Sequence, residues 1–182
     1  MQLAVNFKSL VILAFLGLVG YWLYDTLGPG TAGGDISKLL MEHRRSEPAR
    51  QAIIKRRILS EYNPERDYPT ILRALDSPSP TTQTLAIEVL SDRAERRAQP
   101  ILLKILNDPG RAETVKEAIA ATMGHFGVRE AIPRLLELTD KSEHQAVRAA
   151  AHEALVKITG AGAQVKFADN VREQWTIWLR DR

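Results

Sequence analysis

The chain has 182 residues, of which 45% are hydrophobic and 26% charged, and this length and balance fit a folded domain rather than a disordered or collagen-like protein. It contains no cysteine, which excludes disulfides, thiolate metal sites and a cysteine nucleophile. The net charge of +3 is unevenly placed: eight Lys and Arg oppose five Asp and Glu in residues 36–67, whereas sixteen oppose fifteen in residues 68–182. The near neutrality of the longer part argues against a nucleic-acid-binding protein.

The N-terminal segment is apolar. Ser9–Tyr24 is an uncharged run of 16 residues, and a helix that crosses a bilayer needs about 20 apolar residues. Residues 6–27 supply that length if Asp25 lies at the membrane interface. The run ends in aromatic residues of the kind that concentrate at membrane interfaces, namely Tyr21, Trp22 and Tyr24. We therefore predict a transmembrane anchor in residues 1–27, with a cleaved signal peptide as the alternative.

The charges that flank this segment bear on its orientation. Lys8 precedes it, and Asp25 and Asp35 follow it, which favours a translocated domain on the extracytoplasmic, periplasmic side. The basic residues further along the chain leave the opposite orientation open. Residues 28–34 are rich in glycine and predict a flexible linker.

The sequence from residue 68 onward repeats itself. Three sets of residues recur at intervals of 31 to 33 positions: Asp76, Asp108 and Asp140; Ala86, Ala118 and Ala150; Pro69, Pro100 and Pro133. Each proline precedes a short apolar helix, and each aspartate precedes an alanine-rich one whose apolar residues follow the three- and four-residue steps of a helical face. The pattern predicts three helix pairs in residues 68–160, stacked as an all-α solenoid.

The flanking segments predict end caps for this solenoid. Residues 35–67 contain two amphipathic stretches, 36–45 and 47–61, which we interpret as a degenerate N-terminal helical cap. Residues 161–182 predict a C-terminal capping helix over residues 170–181. An open solenoid needs such caps because each unit buries its apolar face only against its neighbours.

Several residues mark the ends of the predicted helices. Ser142 and Gln145 have the spacing of a capping box, and Asp169 stands where it would cap the last helix. Three glycines are expected to end helices, namely Gly124, Gly127 and Gly160.

Residues 98–160 resemble HEAT repeats, specifically the HEAT-like repeats first associated with phycobilisome lyases. The resemblance is carried by REAIPRLLELTD at 129–140 and AVRAAAHEAL at 146–155, and it is weaker over 68–92. It implies stacked antiparallel helix pairs and a surface for protein partners. The family name also suggests the alternative of a chromophore lyase or another enzyme, but the chain has no cysteine, acid–base pair or Gly-rich phosphate loop. We expect no enzymatic activity and no cofactor.

A metal site is not expected either. The four histidines lack the spacing of metal ligands. The HEAT-like family of deoxyhypusine hydroxylase binds iron through several His-Glu pairs, whereas this chain has one such pair, His152-Glu153. A di-iron site needs more ligands than one pair provides.

The repeat register places polar residues in ridges along the second helices. Lys116 and Arg148 share one repeat position, and Glu88 and His152 share another. Two tryptophans one helical turn apart in the C-terminal helix either cover the solenoid end or bind a partner. The candidate partner-binding residues are Glu88, Lys116, Arg148, His152, Trp175 and Trp178. The alternative for the two basic residues is a structural bond to the turn aspartates, Asp108 and Asp140.

Basic residues concentrate directly behind the predicted anchor. The cluster consists of Arg44, Arg45, Arg50, Lys55, Arg56 and Arg57. It predicts either contact with anionic lipid headgroups or the solvated side of a helix. Taken together, the sequence predicts a membrane-anchored HEAT-repeat scaffold for protein–protein interaction, acting as an accessory or assembly subunit of a membrane complex. Its expected partners are other protein subunits and the lipid bilayer.

Overall fold

The computed structural model describes residues 35–182. These residues form nine α-helices and no strand. The helices are α1 (Ile36–Arg45), α2 (Pro48–Glu61), α3 (Pro64–Ala74), α4 (Pro80–Asp92), α5 (Gln99–Leu106), α6 (Glu113–Phe126), α7 (Ile132–Leu138), α8 (Gln145–Thr159) and α9 (Val171–Arg180). The prediction of an all-α fold is confirmed.

The predicted membrane anchor in residues 1–27 and the linker in residues 28–34 lie outside the described residues. From residue 35 to residue 182, every helix is too short or too polar to cross a bilayer.

The helices stack as consecutive pairs: α1 with α2, α3 with α4, α5 with α6, and α7 with α8. The second helices of the pairs also pack on one another, and α6 and α8 make the most extensive of these contacts. Helix α9 follows the last pair and packs against α7. The apolar side chains between the helices join into one core that runs from Ile36 to Trp175.

The second pair begins earlier than the repeat pattern predicts. The side chain of Asn63 accepts hydrogen bonds from the backbone N–H groups of Glu65 and Arg66, at 3.0 and 3.2 Å. Pro64 then occupies the first helical turn, where its fixed φ suits a helix. The predicted boundary between residues 67 and 68 therefore falls inside α3, and Pro69 lies within that helix.

Two predicted helix caps are wrong. Helix α8 begins after His144, whose Nδ1 accepts from the N–H of Ala146 at 3.3 Å. Ser142 does not cap that helix, because both its N–H and its hydroxyl donate to the carboxylate of Asp140. Helix α9 begins after Asn170 rather than Asp169, without a side-chain cap.

The glycines play two different parts. Gly127 and Gly160 end α6 and α8 in the left-handed conformation, with φ of 69° and 76°, as the sequence predicts. Gly124 instead lies inside α6, where a Cβ atom would be 2.6 Å from the Cα of Ala154 in α8. Its missing side chain is the reason that α6 and α8 can approach so closely.

Candidate functional site

A groove of about 360 Å³ lies between α4 and α6 on the surface of the second helices. Both helices contribute acidic and hydroxyl side chains to its lining, namely Thr84, Glu88, Ser91, Asp92, Thr114, Glu117 and Thr122. Ala118 and Ala121 add only methyl groups, which leaves the space between the longer side chains open. The groove therefore combines hydrogen-bond acceptors with a small apolar surface formed by the two alanines.

One lysine from the preceding pair neutralises part of this groove. Lys55 on α2 places its Nζ 3.1 Å from Glu88 and 3.2 Å from Asp92. Burial disfavours the charged lysine, but the bonds to these two carboxylates outweigh burial and raise its pKa. Glu117 is exposed and has no ion pair within residues 35–182. The groove thus keeps a negative charge on its α6 side.

Thr84 adds an unsatisfied polar atom at the groove. Its hydroxyl oxygen is buried and makes no hydrogen bond to any described residue. A buried hydroxyl without a partner carries a free-energy cost, so a ligand or water that reached it would relieve that cost.

Lys116 stands at the repeat position next to this groove and forms a contact between helix pairs. Its Nζ lies 3.1 Å from Glu143 in the turn between α7 and α8, and the two side chains are only 12% and 22% exposed. The expected partner Asp108 pairs with Arg111 at 2.9 Å instead. Lys116 therefore has a structural role between repeats, although its acidic partner is not the predicted one.

Arg148 is also engaged within the fold. Its guanidinium donates to the backbone oxygens of Thr139 at 3.4 Å and Asp169 at 3.3 Å, and it lies 5.7 Å from the ring centre of Phe167. The expected partner Asp140 pairs with Arg172 of α9. The hydrogen bonds from Ser142 and the contact with Arg172 lower the pKa of Asp140 to about 2.

His152 and Trp175 are buried at the C-terminal end of the solenoid. Trp175 is 0% exposed, and its Nε1–H donates to Nδ1 of His152 at 3.0 Å. Trp178 is half-buried and packs edge-on against Trp175, with ring centres 5.7 Å apart. The assignment of His152 and Trp175 to a partner surface is therefore wrong, because burial removes both side chains from reach.

Of the six predicted partner-binding residues, the structure places Glu88 in the groove and the other five elsewhere. The groove residues that the sequence reasoning missed include Asp92, Glu117 and Thr114. Their helical spacing could have indicated two polar stripes. Glu88 and Asp92 lie four positions apart on α4, and Thr114 and Glu117 lie three positions apart on α6. Only the packing of α4 on α6 shows that the two polar stripes face one groove.

The described residues contain no group of three or more histidines and carboxylates arranged to hold a metal ion. His152, the histidine of the His-Glu pair, uses its Nδ1 to accept from Trp175. The carboxylate and hydroxyl side chains that line the groove can form hydrogen bonds and attract positive charge.

The stacked helix pairs define residues 35–182 as an α-solenoid. Residues 111–180, which span α6 to α9, match the family model of HEAT repeats. This match supports a HEAT-repeat protein, and it does not distinguish the lyase-type repeats from other HEAT repeats. No curated protein and no solved structure matches the chain.

Proposed function

We propose that this chain is a protein-interaction scaffold, held at a membrane by residues 1–27 and acting as an accessory or assembly subunit of a membrane complex. The match to HEAT repeats supports the scaffold role, because stacked repeats present extended binding surfaces. The uncharged run Ser9–Tyr24 supports the anchor. The domain then acts on the extracytoplasmic side, as the flanking charges favour.

The groove between α4 and α6 is the observation that carries the proposal. Its acidic and hydroxyl lining fits an extended segment of a partner protein that bears basic and polar side chains. Glu117 is the strongest contact point, because Lys55 already neutralises part of the charge of Glu88 and Asp92.

Copurification from the native membrane tests this function. The chain is purified in mild detergent, and the proteins that accompany it are identified by mass spectrometry. We expect Glu117→Lys, which reverses the charge, and Ala121→Arg, which fills the groove, each to lose the same accompanying subunit. Both positions are exposed, so both variants are expected to keep the wild-type fold, which circular dichroism checks.

The matched control is Glu130→Lys, an equal charge reversal at an exposed residue outside the groove. It is expected to retain the accompanying subunit. Retention of that subunit by both groove variants would remove the groove from the interface. A purified chain without protein partners but with a bound pigment or metal would overturn the scaffold function in favour of an enzyme.

A further inference from the structure

The N-terminal end of the solenoid exposes apolar side chains. Met41 on α1 and Ile53 on α2 are 56% and 65% exposed, the highest values among the large apolar side chains of the described residues. Ile53 lies beside a groove of about 470 Å³ that Leu39, Ala49 and Ile54 also line. The end of a solenoid is normally covered by polar residues. We therefore expect a binding partner to cover this apolar surface.

Arginines and a lysine surround this apolar surface. We define the N-terminal end face by two adjoining grooves that share Glu42 and Arg50. Its other charged and exposed apolar lining residues are Lys38, Met41, Arg45, Glu47, Ile53 and Arg57. Over residues 35–61, seven Lys and Arg oppose four Asp and Glu. The end face therefore combines exposed apolar groups with excess positive charge.

Only part of that charge is neutralised within the fold. Lys38 pairs with Asp35 at 3.7 Å, Arg50 pairs with Glu42, and Arg57 pairs with Glu61 at 2.7 Å. The remaining three arginines of the cluster are exposed and have no ion pair within residues 35–182, namely Arg44, Arg45 and Arg56. Arg44 and Arg45 also line a smaller groove beside Met41. Arg44 and Arg45 are thus available to an anionic partner beside Met41, and Arg56 is exposed three positions after Ile53 on the same helix.

We propose that the N-terminal end face lies against an anionic lipid surface, with Met41 and Ile53 entering the headgroup region and the arginines contacting lipid phosphates. This inference rests on the proposed membrane anchor. Only residues 28–34 separate residues 1–27 from the described part of the chain, and seven residues of any conformation span at most about 25 Å. If a bilayer holds residues 1–27, this short distance along the chain keeps the end face close to it.

The charge and the apolar groups together favour lipid over a second copy of the chain. Apolar side chains flanked by Lys and Arg are typical of segments that lie in the interface of anionic membranes. Two copies that met through this face would bring like charges together, which opposes association. The C-terminal end shows the combination more weakly, because its large apolar side chains are at most 46% exposed and residues 161–182 hold four Lys and Arg against three Asp and Glu.

Site-specific labelling tests the proposal on the full chain. The absence of cysteine allows a single fluorophore at Ile53→Cys, with Ile177→Cys on α9 as the matched control, since Ile177 is 46% exposed at the opposite end. Each labelled chain is reconstituted into vesicles of phosphatidylcholine, with or without phosphatidylglycerol, that contain a headgroup quencher. We expect quenching at position 53 in the anionic vesicles and none at position 177.

The triple variant Arg44→Gln, Arg45→Gln, Arg56→Gln tests the role of charge. Each arginine removed is expected to weaken the contact of the face with lipid about fivefold, so the label at position 53 loses its quenching. The matched control, Lys104→Gln, Lys141→Gln, Lys157→Gln, removes equal charge from exposed positions in the other helix pairs and keeps the quenching. Circular dichroism checks the fold of both variants.

Two outcomes would overturn the proposal. One is a label at position 53 that stays unquenched in anionic vesicles. The other is a label at position 53 that becomes buried in the absence of lipid as the protein concentration rises. That result would show that the end face binds a second copy of the chain. Flotation with neutral vesicles reports separately on residues 1–27. A chain that fails to float with neutral vesicles, but whose label at position 53 is quenched in anionic vesicles, would disprove the membrane anchor. The same result would support the contact of the end face with anionic lipid.

Discussion

His152 is the residue whose role the structure changes most. Its Nδ1 accepts the indole N–H of Trp175 at 3.0 Å, so the neutral ring carries its proton on Nε2. Burial lowers its pKa from the ordinary value of 6.5, because a charged imidazolium would lose hydration, and the nearby Glu153 only partly offsets this effect. His43 is buried as well, and burial also lowers its pKa. Both histidines therefore stay neutral in the folded chain to lower pH than in the unfolded chain.

We expect the free energy of unfolding to fall as the pH drops below about 6.5. The unfolded chain takes up protons on these histidines near their ordinary pKa, whereas the folded chain resists protonation, so acid favours the unfolded state. His152→Gln keeps an acceptor for Trp175 but removes the titration. Its loss of thermal stability between about pH 7 and pH 5.5 should therefore be smaller than in the wild type.

Thermal unfolding followed by circular dichroism at a series of pH values measures this difference. His43→Gln, at the other histidine whose pKa burial lowers, is expected to reduce the pH dependence in the same direction. An identical pH dependence in His152→Gln and the wild type would contradict the prediction.

At the scale of the elements, the contact of α6 with α8 depends on a missing side chain. Gly124 sits where a Cβ atom would come within 2.9 Å of both the Cα and the Cβ of Ala154. The backbone of α8 must therefore move if any other residue occupies this position. Ala86, Ala120 and Ala151 on the second helices are also fully buried, and their small side chains permit close packing with a Cβ present.

Gly124→Ala is expected to lower the free energy of unfolding by about 1–3 kcal/mol, as overpacked cores do. This loss should appear even though alanine favours a helix over glycine by about 1 kcal/mol. Urea unfolding measures the difference. The control Gly110→Ala introduces a Cβ at an ordinary contact distance of 3.4 Å from Asp108 and should leave stability unchanged. An unfolding midpoint of Gly124→Ala at or above that of the wild type would contradict the prediction.

For the whole molecule, the two ends of the solenoid differ. The C-terminal end is covered by a segment that buries Val165, Val171 and Trp175 to 2% exposure or less. The N-terminal end leaves Met41 and Ile53 more than half exposed. In a linear stack each unit depends on its neighbours, so removal of one end should act first on the adjacent pair.

Deletion of residues 161–182 is expected to destabilise α7 and α8 before the rest of the chain. Each buried side chain that is lost contributed about 1.5–3 kcal/mol of hydrophobic stabilisation. Hydrogen exchange followed by mass spectrometry should show faster exchange in α7 and α8, with little change in α1 and α2. Deletion of residues 181 and 182 alone serves as the control, since both are exposed. Uniformly faster exchange along the chain would show a single cooperative unit instead.

The fold was largely predictable because its signals are local. The recurrence of Asp76, Asp108 and Asp140 every 32 residues marks the turns, and helical periodicity marks the helices between them. The errors lie at helix ends: Asn63 starts α3 before the repeat pattern begins, and α8 begins after His144 rather than at the predicted cap Ser142. The candidate site was less predictable, since only Glu88 among the expected partner residues lines the groove.

The sequence by itself determined the helix pairs, their order and the alanines that allow them to pack, because 3.6-residue periodicity and turn residues act over a few positions. Only the tertiary structure decided which polar side chains meet. Lys116 pairs with Glu143, 27 positions away, and His152 accepts from Trp175, 23 positions away. The repeat register aligns such residues into ridges, but long side chains can reach several neighbours. The packing of adjacent pairs selects one partner, and it thereby separates the residues that hold the solenoid together from those that remain on its surface.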